Sequence, residues 1–163
     1  MAELTTLEAK LGEVTGLAMA AQGAGEKVSG LVDDNDLRQT LDRMVKEAKE
    51  TEDRCTQLAD ELEGKKTAVL EKARETKREA TEMMRTYLGA DADGLDGFEF
   101  LTMAEAGEVG HWNVLGVLGE KAGNPEVQEL VEWAAPIQQR HFEGALQGSL
   151  RLAAEEDPNA PES

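Results

Sequence analysis

Glu108-Val-Gly-His111, Gly123-Asn-Pro125 and Gln138-Gln-Arg-His141 decide the fold between them. The middle string is a helix break, because glycine favours the end of one helix and proline the first turn of the next. The outer strings fall on the two helices it separates, expected from about Phe98 to Lys121 and from Pro125 to about Glu155. Glu108 and Gln138 each lie fifteen residues from Gly123. In an antiparallel hairpin they stand at one height, with His111 and His141 one turn to either side. On a wheel of about 100° per residue, Glu108 centres the apolar face of Leu101, Ala104, Trp112 and Leu115. Gln138 centres that of Val131, Ala134, Phe142, Ala145 and Leu152. Two polar side chains are therefore expected to meet in one core. A buried, unpaired carboxylate costs several kcal/mol, so Glu108 needs a partner, a proton or a metal.

The rest of the chain reads as further bundle helices. Leu4, Leu7, Leu11, Val14, Ala18, Ala21, Val28 and Val32 recur mostly in steps of three and four, giving an amphipathic first helix. It stops at Asp33-Asp-Asn-Asp36, which turns the chain and caps the second helix. That helix carries Leu37, Leu41, Met44, Ala48, Cys55, Leu58 and Leu62 on one stripe and ends at Gly64. Residues 65 to 88 bear a thinner stripe and read as a helical crossover, or as a continuation of the second helix, since one glycine need not break it. Leu88 to Gly97 is a turn-rich loop. Asp91, Asp93 and Gly94 faintly resemble a calcium loop but lack its later glutamate. Pro136 is expected to kink the last helix. The reading is all-α, with a bundle over 1–156 and a disordered tail over 157–163. Leu11, Val14, Leu41, Leu58, Leu101, Leu115, Val131 and Ala134 are its expected core.

Composition narrows the function. With aromatics at 4% and charged residues at 31%, the core must be built from Leu, Val, Ala and Met. The net charge of −17 lacks the basic footprint that nucleic acid or an anionic membrane surface requires. No segment approaches the length of a membrane span, and the N-terminus lacks a basic region followed by an apolar run. Cys55 is the only cysteine, which excludes an internal disulfide. A cytoplasmic protein is expected.

Ala106-Gly-Glu-Val-Gly-His-Trp112 followed by Gln138-Gln-Arg-His141 resembles the third and fourth helices of the ferritin-like superfamily, in its rubrerythrin-like and stress-induced YciF-like branches. The resemblance covers most of the chain and implies a ferritin-like four-helix bundle with a long helical crossover. It implies metal ligands at Glu108 and His141, with His111 where the family has a second carboxylate. On the second helix, Glu52-Asp-Arg-Cys55 stands where a Glu-x-x-His turn would end in histidine. The departures are as informative: Gly16 to Ala20 holds no glutamate, Cys55 replaces a histidine, and Gln138 replaces a glutamate.

The resemblance thus implies an altered, mononuclear site for iron or zinc, in metal handling or oxidative-stress protection. Glu108, His111 and His141 are its chief ligands, and Glu52, Cys55 and Gln138 its auxiliary set. Whether the chain is an enzyme is left open. The competing reading is a non-catalytic bundle whose polar network fixes helix register and whose surface binds another protein or builds a homodimer. Gly148-Ser-Leu-Arg151 resembles peptides that load cargo into encapsulin shells, but such peptides sit on flexible tails and this one lies inside a predicted helix. No phosphate loop, serine triad or dinucleotide fingerprint is present.

Overall fold

Five helices make up most of the computed structural model, which describes residues 2–162. They are α1 Thr6–Ser29, α2 Asn35–Glu61, α3 Lys66–Tyr87, α4 Gly94–Ala122 and α5 Pro125–Ala154. No strand occurs among the described residues.

Local chemistry sets most of the boundaries. Thr5 and Glu8 form a reciprocal capping box at the start of α1, and Asp34 accepts from the amides of Asp36 and Leu37 to start α2. Gly64, at φ +72°, breaks the chain between α2 and α3, so the unbroken alternative does not occur. Asp93 and Asp96 build a second capping box. That box starts α4 at Gly94, within the run expected to be a loop, and gives Asp93 a structural role unrelated to calcium. Gly123 closes α4 at φ +60°, and Asn124 caps α5 with Pro125 in its first turn. Helix α5 continues through Pro136. Residues 157–162 carry no helix and are exposed; Ser163, also expected in the tail, lies outside the described residues.

Four helices form a ring in which α1 packs on α2, α2 on α5, α5 on α4 and α4 on α1. Every neighbouring pair is antiparallel: Gly25 faces Leu41 and Val45, Gly97 faces Val28, and Gly148 faces Phe98, while Arg151 pairs with Asp34. Helix α3 lies outside the ring, chiefly against α1. It carries the chain back along the bundle, so α4 begins at the same end as α2 and runs parallel to it, as the crossover reading expects. The approach of α3 depends on missing side chains. A Cβ on Gly16 would come within 2.3 Å of the Ala73 carbonyl oxygen, and one on Gly12 within 2.8 Å of the Lys72 Cβ.

Two apolar clusters fill the ends of the ring. One, at the α4–α5 turn, holds Leu11, Val14, Cys55, Leu58, Trp112, Leu115 and Ala134. The other, at the far end, holds Val28, Leu41, Met44, Phe98, Leu101 and Ala145. Of the expected core, seven residues are buried and Val131 is half-buried. No described helix is long and apolar enough to cross a membrane.

Candidate functional site

A polar layer separates the apolar clusters. Helix α4 contributes Glu105 and Glu108, exposed by only 2% and 4%, and α5 contributes Gln138 and His141, at 0% and 3%. Thr15 of α1 and Thr51 of α2 are also buried, but their hydroxyls are satisfied by the carbonyls of Leu11 and Glu47 one turn back. The glutamates and the glutamine are not. Glu105 Oε2, Glu108 Oε2 and both amide atoms of Gln138 lack any hydrogen-bond partner. Such groups are rare in folded proteins and costly.

The electrostatics arise from that burial. Desolvation pushes Glu105 from its ordinary 4.5 to about 8. Glu108 is raised well above 4.5, first by desolvation and then by Glu105 beside it. Gln138 lies near enough to favour the charged form of Glu108, although neither amide atom reaches hydrogen-bonding geometry. The expected approach of Glu108 and Gln138 is therefore present. Burial lowers the pKa of His141, so its imidazole is neutral near pH 7. His141 Nε2 lies 3.3 Å from Glu47 Oε1, and Nδ1 lies 3.8 Å from Glu105 Oε2. Glu47 is held in turn by Arg140 at 2.8 Å and Arg43 at 3.3 Å.

The six residues singled out from the sequence divide among different surroundings. Glu108, Gln138 and His141 share the buried layer. His111 instead turns towards α1, with Nδ1 3.2 Å from Lys10 Nζ and 3.5 Å from Glu13, and its side chain is 42% exposed. The buried second carboxylate of α4 is Glu105, one turn before Glu108, and His111, one turn after, does not replace it. Glu52 accepts from Gln22 at 2.8 Å and pairs with Lys49. Cys55 is wholly buried beside Thr15, and burial pushes its thiol up to about 12, so it is not a thiolate at neutral pH. The helical wheel does not single out Glu105 or Glu47. The only sequence signal for Glu47 is its place in the run Glu47, Thr51, Cys55, three positions on one edge of α2.

On the side away from Glu47, the polar layer faces a cleft of about 880 Å³ between α1, α3 and α4. Glu105 and Glu108 lie among its lining residues, with Glu52, Gln22 and His111 nearby. Its walls are apolar, with Met19 and Ala20 of α1, Met83 and Met84 of α3, and Phe100 and Met103 of α4. Met83 and Met103 remain 54% and 40% exposed. This volume lies within the usual range for small-molecule sites.

A two-metal centre does not fit these residues. In a four-helix carboxylate bundle such a centre draws glutamates from all four helices and a histidine from two of them. Here Gly16 of α1 is closed off by the α3 backbone, Thr51 and Cys55 of α2 are uncharged, and Gln138 of α5 is neutral. Among the described residues, no three His, Cys, Asp or Glu side chains converge as a metal site. Comparison with known protein families, curated proteins and solved structures finds no match to this chain.

Proposed function

We propose that the chain is a ferritin-like bundle in which the layer that holds metals in that superfamily serves instead to bind a small organic molecule. The ring of α1, α2, α5 and α4, with α3 as a helical crossover, supports the ferritin-like reading. The observation that carries the binding reading is the cleft itself. Its walls are apolar, and its lining includes two nearly buried glutamates, each with a carboxyl oxygen that lacks a hydrogen-bond partner. Apolar walls with a few unsatisfied polar groups are the usual make-up of a small-molecule site.

The test uses n-octanol as an uncharged probe and thermal unfolding as the readout. Binding to the folded state alone raises Tm by mass action, and saturating probe is expected to give a shift of several degrees. Gly107→Phe should abolish the shift. Gly107 lies on the cleft with open space around the position of a Cβ, and phenylalanine is the better helix former. An unchanged Tm with octanol, or an equal shift in G107F, would overturn the reading.

A second reading, metal handling or oxidative-stress protection, is favoured by one contact. His141 Nδ1 and Glu105 Oε2 stand 3.8 Å apart, two donors of the kind that iron and zinc accept, and the protein would have to bring a third to them. Elemental analysis after growth with added iron and zinc separates the readings. One equivalent per chain, lost in Glu108→Gln, would support the metal; a metal-free protein would leave the organic ligand.

A further inference from the structure

Resting on the small-molecule reading, we infer that the cleft between α1, α3 and α4 is selective for a lipophilic organic cation, an amine with an apolar body. The apolar body is asked for by the walls, where Met19, Met83, Met84 and Met103 offer long, adaptable side chains on three helices. The cationic head is asked for by the two glutamates of the lining. Glu105 and Glu108 are nearly inaccessible, both line the cleft, and each has an Oε2 without a donor.

Other classes of ligand leave one of these features unanswered. An uncharged hydrocarbon would fill the walls but leave both carboxyl oxygens bare. An amphipathic anion brings no N–H donor, and its charge opposes ionisation of Glu105 and Glu108. The basic residues on the cleft are Arg74 and Lys77 of α3, and Arg74 is engaged by Glu71 at 2.6 Å. A bare metal ion finds no set of three donors among the described residues and gains nothing from the methionine walls. An ammonium group supplies up to three N–H donors to two adjacent carboxyl groups, and charge-assisted bonds of this kind are about twice as strong as neutral ones. The −17 net charge of the chain favours the approach of cations over anions.

The experiment compares n-octylammonium, n-octanol and n-octanoate, matched in chain length, by titration calorimetry on the full chain. Octylammonium should bind at least about tenfold more tightly than octanol, the ratio expected of a charge-assisted bond in a shielded site, and octanoate most weakly. In the Glu105→Gln/Glu108→Gln double variant the amine should lose its advantage over the alcohol. Both substitutions keep side-chain shape and remove the carboxyl groups that an ammonium could hold ionised, and a retained helical circular dichroism spectrum checks the fold. Equal affinities of amine and alcohol in the native chain would overturn the cation inference while leaving the cleft a binding site. Tightest binding of octanoate would also overturn it and point to Arg74 and Lys77. If none of the three binds, the small-molecule reading falls with it.

Discussion

The ends of the bundle and its middle are built on opposite principles. At either end, Leu, Val, Phe and Trp side chains fill the space between helices, and burial is favourable wherever it occurs. In the middle, Glu105, Glu108 and Gln138 are buried just as deeply without the hydrogen bonds that would make burial tolerable. The ends therefore hold the fold together, and the middle lowers its stability. Stability given up in one layer, beside a cleft, is what a site for something other than protein is expected to show.

The sharpest way to break this comparison is to cut into an end. Leu115→Ala should cost roughly 2–5 kcal/mol in urea unfolding, since the residue is fully buried among Leu11, Trp112 and Ala134. A cost below about 1 kcal/mol would mean that the ends are loosely packed and the contrast is false.

The pH dependence of the middle layer comes next in size. Glu105 has its folded pKa raised from 4.5 to about 8, so between those values the folded chain binds more protons than the unfolded one. Stability should fall as pH rises through that window, by a few kcal/mol in all, and level off above it. His141, with its folded pKa lowered from 6.5, acts oppositely and removes stability as pH falls below 6.5. Glu105→Gln should make the alkaline decline shallower, leaving the share of Glu108, whose pKa is also raised by burial, and should keep the acid limb. A decline of unchanged depth in E105Q would assign it elsewhere.

A smaller gain is expected from Glu108→Gln, which keeps shape and removes an ionisable group from a site that disfavours charge. It should raise stability at pH 8 by about 1–3 kcal/mol, measured by the same urea transition; a loss would show that Glu108 is satisfied in solution. The smallest effects contrast the two histidine surroundings. Glu47→Ala leaves buried His141 without its partner and should cost about 1–2 kcal/mol. His111→Ala, on a half-exposed side chain, should change stability by less than about 0.5 kcal/mol.

Much of this contrast can be read from the sequence, and its limits have a physical cause. Gly123-Asn-Pro125 sets the hairpin pivot, and counting from it places Glu108 and Gln138 at one depth. The start of α4 is not legible because Asp and Gly serve both turns and helix caps, and nothing in Asp93-Gly-Leu-Asp96 says which. The choice of His111 over Glu105 has a geometric origin. Residues three before and three after Glu108 lie symmetrically, about 60° to either side of it on the wheel. One helix alone cannot decide between them. The outcome depends on neighbours: the side towards Glu47 and His141 is buried, while the side towards Lys10 and Glu13 is partly open. Glu47 escapes notice because its long chain reaches inward from the edge of its helix rather than from the centre of the apolar stripe.

The glycine contacts of α1 carry a consequence for motion. Gly12 and Gly16 bring α1 tightly against Lys72, Ala73 and Thr76, and the buried residues of α3 are Ala68, Val69 and Ala73, all in its first half. Beyond them no residue of α3 is buried, and contact between α3 and α4 is sparse. Helix α3 is thus held at both ends, at its start by Ala68, Val69 and Ala73 and at its finish by Met84 and the buried Leu88 against the far apolar cluster and by Tyr87 against Phe100, and only loosely between them. Its amide protons should exchange with solvent slowly up to Ala73 and faster over residues 74–83, a span held at its two ends and slack between them. Passage into the bundle would then be governed by the bowing of that span, with the ring left undisturbed.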